Sequence, residues 1–164
     1  MDSILATLTD RLAQTPASIF VQSVSWLVPA VQTVHLLAIA IVLSSAGMLV
    51  LRVLGLAGFE QSIVDAARRY LPWIWAGLAV LLMSGSVLIV GEPDRTLINP
   101  VFHWKMILVA AVATLTAIFH AGVTRQAADW DLAPAHRGAA RLLAVGAFGV
   151  WLTIAVLGRW IAYV

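Results

Sequence analysis

An all-α integral membrane protein, a four-helix bundle of up-down topology with a short N-terminal interfacial helix, is the fold this sequence predicts. Three observations carry the expectation. The chain is 62% hydrophobic and only 11% charged, with mean hydropathy +0.96, whereas a soluble domain carries about 25% charged residues. Its apolar residues gather into four runs, about 29–54, 70–90, 100–122 and 139–163, each near the roughly 20 residues that cross the hydrocarbon as a helix. The breaks between the runs are rich in Gly, Pro and charged residues, which interrupt helices and prefer water. The length suits a single transmembrane domain, 1–164.

Each element has a local reason. Ile4, Leu5, Leu8 and Leu12 recur at helical spacing, so the N-terminus reads as an amphipathic helix on the membrane surface, with a frayed tail as the competing reading. Asp2 and the lack of a positive segment before a long apolar run speak against a secretory signal peptide. Residues 17–28 (ASIFVQSVSWLV) precede Pro29 and read as a second interfacial helix or the start of a kinked first span. Span 1 holds His35, Ser44 and Ser45 and ends at Arg52; loop 1, 55–70, carries Glu60, Asp65, Arg68 and Arg69 and is expected to be partly helical. In span 2, Gly77, Ser84 and Gly91 recur at seven-residue spacing, a small face that admits a close neighbour. Loop 2, 91–100, is turn-rich. Span 3 carries His103, Lys105 and His120, loop 3 spans 123–138 with His136, and span 4 places Ala139, Gly146 and Thr153 on one face.

Charge sets the expected orientation. Arg52, Arg68, Arg69, Arg125, Arg137 and Arg141 flank loops 1 and 3, against Arg11, Arg95, Lys105 and Arg159 at the other end. The positive-inside rule puts loops 1 and 3 in the cytoplasm of a bacterial inner membrane and both termini in the periplasm. A net charge of +2 gives no reason to expect nucleic acid as a partner. The absence of cysteine excludes disulfides, thiolate metal sites, iron–sulfur clusters and c-type haem attachment.

The chemistry is expected at the histidines, because an ionisable side chain inside a membrane helix is expensive and marks function by default. His35 and His103 stand near the same end of spans 1 and 3, which are diagonal neighbours in an up-down bundle. Facing imidazoles in that place suit a six-coordinate b-type haem, each binding iron through one nitrogen while the other is held by an acceptor. On a helical wheel, His103, Met106, Ala110, Ala113, Ala117 and His120 share an arc of about 120°, a small face with room for a flat cofactor. Lys105 lies about 160° from His103, so the two cannot face the same interior; the expectation is that Lys105 snorkels to the headgroups, with a cofactor ligand or propionate partner as the residual reading. His120, 17 residues beyond His103, sits about 25 Å away along the helix and is the candidate for a second haem or a proton relay, alone or with His136. The bland readings are a hydrogen-bonded structural histidine for His35 and interfacial or packing roles for the others. His35, His103 and Met106 together form a donor set suited to copper(I).

The residues also carry a resemblance. Span 1 contains Trp26, Pro29, Gln32 and His35 at three-residue steps, then LRVLG; span 3 contains Pro100, Phe102, Lys105, Leu108 and Val109 and ends in Phe119–His120. This pattern resembles small bacterial membrane proteins of about four spans and, more distantly, is similar to the CopD copper-resistance domain and the HemJ-type protoporphyrinogen oxidases. The resemblance covers spans 1 and 3, and it implies haem b or copper in the membrane. For the HemJ type it implies a histidine and a lysine around haem, which map onto His35 and Lys105 and make Lys105 the competitor of His103. The chain departs from that type in lacking close spacing between the lysine and the later histidine.

The function expected is therefore a membrane-embedded, cytochrome b-like electron carrier holding one or two b-type haems. It would work between the quinol pool and a periplasmic or membrane redox partner subunit. A copper-handling membrane domain and a cofactor-free structural or transport subunit are the alternatives.

Overall fold

The computed structural model of the chain describes residues 2–125 and 134–160, all of its regular structure helical. The elements are α1 (Asp2–Ala13), α2 (Pro16–Ser23), α3 (Leu27–Leu54), α4 (Ile63–Gly91), α5 (Pro93–Leu97), α6 (Pro100–Arg125) and α7 (Pro134–Trp160). Four of them, α3, α4, α6 and α7, are long and apolar enough to cross a membrane. They form the expected bundle. α3 packs along α4 and α7, α6 packs along α7 and only sparsely on α4, and α3 and α6 lie diagonally.

The helix limits depart from expectation where a local capping residue overrides composition. Of the two readings of residues 17–28, a second helix holds and the start of a kinked span does not. α2 is separate, begun by Thr15, whose Oγ1 accepts from Ser18 N at 3.3 Å, and ended at Val24, which is extended. Pro29 stands in the first turn of α3, where its missing N–H costs nothing. α4 starts seven residues before the expected Tyr70, at Ile63. There Ser62 accepts from Asp65 N at 3.0 Å and donates to Asp65 Oδ2 at 2.8 Å, with Asp65 favourably placed in the first turn. Arg68 and Arg69 thus sit on the exposed side of a helix, while Ile63, Val64, Ala66 and Ala67 are buried. Within loop 2, α5 begins at Pro93, and α7 begins at Pro134, both with proline preset for the first helical position. The remainder of loop 3, residues 126–133, lies outside the described residues.

The core is concentrated toward the end of the bundle that carries residues 55–62, called here the lower end. Val42, Leu49 and Val53 of α3 meet Ile63, Leu71 and Ile74 of α4 and Val112, Phe119 and Val123 of α6. The α3–α4 seam is tight at Gly77, where an added Cβ would collide with Val42 Cγ2; only glycine lets α3 and α4 come so near. At the upper end, α2 docks on the last turn of α4. Buried Ser18 donates to the Val90 carbonyl at 2.7 Å, satisfying an end-of-helix acceptor, and Gln22 Nε2 donates to Ser18 Oγ at 2.9 Å. α1 lies against α5. Ile19, Phe20 and Trp26 are left exposed, an apolar surface of the kind that seats in a membrane interface.

Candidate functional site

Above the packed core, the four spans enclose a cavity of about 490 Å³, inside the range of about 300–1,000 Å³ common to ligand and cofactor sites. Its floor and walls are apolar, with Ile39 and Leu43 from α3, Leu78 and Leu81 from α4, Val109 from α6, and Trp151 and Ile154 from α7. Polar groups collect on the α3 side and toward the upper end: Gln32 and His35, then Glu92, Thr96, Lys105 and Arg159.

His35 is fixed by α4. Its Nδ1 lies 2.7 Å from Ser84 Oγ, and Ser84 Oγ donates its one proton to the Val80 carbonyl at 2.6 Å. The hydroxyl can then only accept from the ring, so the Nδ1–H donates and Nε2 keeps its lone pair. Nε2 has no hydrogen-bond partner among the described residues, while the ring lines the cavity. This is the arrangement that readies an imidazole as a ligand, one nitrogen held by a protein acceptor and the other open.

Lys105 faces the same cavity from the diagonal helix. Its stem lies against Gly158 of α7, where an added Cβ would sit 3.4 Å from Nζ. The amine has no hydrogen bond or ion pair among the described residues.

Of the four residues proposed from sequence to hold a cofactor, the fold thus brings His35 and Lys105 together. His103 is exposed on the outside of α6, its ring edge-on to Phe102 with centroids 6.1 Å apart, and it does not line the cavity. The expected facing pair His35–His103 is replaced by His35 and Lys105, and Lys105 does not snorkel outward. The reason is the rotation of α6. Its buried positions are Val112, Thr116, Phe119 and Val123, and continuing that 4-3-4 rhythm upward leads to Lys105. The face of Val112, Thr116, Phe119 and Val123 packs, and the small face with Ala110 and Ala117 is left exposed, as are Trp104, Ile107 and Ile118. His120 is half-buried at the lower end, where its Nδ1 accepts from Trp75 Nε1 at 3.2 Å, so that in the neutral ring the proton sits on Nε2. It is far from the cavity. The His136 side chain lies outside the described residues.

The copper set does not converge, since Met106 reaches the cavity and His103 does not. Among the described residues no three of His, Asp or Glu come together as a metal-ion site. Sequence reasoning missed Ser84 as the partner of His35, reading it only as part of a small face. The signal was its place between Gly77 and Gly91, on the side of α4 that must touch α3. Glu92, Thr96 and Arg159 were read as loop or end residues and instead line the cavity. Comparison with protein-family models, characterised proteins and solved structures finds no match to the chain.

Proposed function

We propose that this protein is a membrane-embedded b-type haem protein that carries electrons, in which His35, through Nε2, and Lys105 would hold the haem. The observation that carries this reading is the convergence of an open imidazole nitrogen and an unpaired amine on one largely apolar cavity. The site fits the group on two counts. Its volume suits a cofactor, and its donors include a ligand-ready imidazole beside cationic side chains that complement propionates. A bundle with no ligand here would be left with an ionisable amine inside the membrane and no partner, which is costly. The likeness to HemJ-type proteins points to the same two residues.

When bound, haem supplies a one-electron couple whose potential follows axial ligation and burial. The chain's own residues do the rest. Ser84 fixes the tautomer and plane of His35, and the leucine and valine walls exclude water. Arg159, with its planar fork of donors, suits a carboxylate at the upper end. With Lys105 turned inward, fewer cations face the headgroups at the upper end, which sharpens the bias that puts the lower end in the cytoplasm. Quinol on the membrane side and a periplasmic or membrane-bound partner are the exchange partners this placement suits.

The test is a visible spectrum of detergent-purified protein loaded with haemin. A Soret band with sharpened α and β bands on reduction supports the reading. Copper retained without haem would favour the copper-handling class, and neither signal would leave a cofactor-free bundle.

A further inference from the structure

The wall of the bundle has a framed gap. α4 and α6 are the adjacent spans that pack least, and they are tied at two levels. Below, Trp75 of α4 donates to His120 of α6 at 3.2 Å. Above, the short helix α5 connects the two and packs against both, with α1 lying on α5. Between these ties the same face of α4 continues from Trp75 to Leu82, about 10 Å higher, and to Ser86. Leu82 and Ser86 of α4 and Met106 of α6 are exposed, yet all line the cavity. Exposed cavity residues that face each other from two adjacent, sparsely packed spans mark an opening between those spans. In a membrane that opening meets acyl chains, and the exposed Ser86 hydroxyl is already satisfied by the Leu82 carbonyl at 2.8 Å, as a lipid-facing polar group must be.

We infer that the gap between α4 and α6 is a lateral window through which an amphiphilic ligand enters the cavity from the bilayer rather than from the water. Such a ligand presents an apolar body to the leucine-lined floor and an acidic or hydroxylated end to the polar upper end, a chemistry shared by a porphyrin with propionates and by a membrane-dissolved quinol. The inference concerns the cavity on which the proposed function rests, and it stands whatever the occupant.

The chain has no cysteine, so one introduced thiol reports on the cavity alone. Ile154→Cys, buried on the far wall, is placed in phosphatidylcholine vesicles, with Val109→Cys as the second reporter should the first variant not fold. Lipid-soluble N-phenylmaleimide is expected to label it, and the charged reagent trimethylammonioethyl methanethiosulfonate to label it several-fold more slowly. Adding Leu82→Trp at the window should slow the lipid-soluble reagent several-fold, and adding Leu36→Trp, an exposed cavity residue on α3, should not. Equal labelling by the charged reagent, or slowing by Leu36→Trp and not by Leu82→Trp, would overturn the inference. No haem is needed, so this result is independent of whether haem occupies the site.

Discussion

The Ser84 hydroxyl stands 2.7 Å from His35 Nδ1 while giving its own proton to the Val80 carbonyl, so α4 decides which nitrogen of the α3 histidine is open to the cavity. Replacing Ser84 by Ala removes that acceptor without touching the cavity wall opposite. The expected result is a protein that still folds and still takes up haem, with weaker retention by about 10–100-fold, the usual cost of losing a partner behind a ligand. A haem titration of the Ser84→Ala protein checks this; unchanged affinity would mean the hydroxyl does not position the ring.

Lys105 and His103 stand two residues apart on α6, and the fold turns only Lys105 toward the cavity. Lys105→Ala is expected to shift the Soret position or loosen haem, and His103→Ala to leave both spectrum and yield unchanged. Spectra of the two variants side by side decide the matter, and a spectral change confined to His103→Ala would restore the bis-histidine arrangement.

Gly77 has no room for a side chain against Val42. Gly77→Val should overpack the α3–α4 seam and cost at least the 1–3 kcal/mol typical of forced insertions. Unfolding in mixed detergent micelles measures it, with Gly138→Val, where an added Cβ meets nothing within 4 Å, as the neutral comparison.

Trp75→Phe removes the hydrogen bond to His120 and keeps the ring. Interhelical hydrogen bonds in membranes are worth about 0.6 kcal/mol on average, so a small loss of stability is expected with haem binding intact. Loss of haem from this variant would place His120 in the cofactor site after all.

The four spans are legible in the sequence because hydropathy over some twenty residues overrides every local detail. Helix within loop 1 is expected, but the true start of α4 is not legible, because Arg68, Arg69 and Asp65 hide it until Ser62 is recognised as their cap. The site is half legible. His35 stands out as an ionisable residue in an apolar run, and the wheel shows that His103 and Lys105 exclude one another. It cannot say which faces inward, because lipid does not penalise an exposed alanine face or reward a buried one. That choice belongs to the packing of Val112, Thr116, Phe119 and Val123 on the neighbouring helices, which one strand of sequence does not contain.

The most direct measurement is the reduced-minus-oxidised visible spectrum of the purified wild-type and His35→Ala proteins, each loaded with haemin and checked for folding by size-exclusion chromatography and circular dichroism. A sharpened α/β spectrum in the wild type that disappears in a folded His35→Ala protein is the expected result. A wild type with no bound haem, or a variant with full haem occupancy, would contradict the assignment of this cavity.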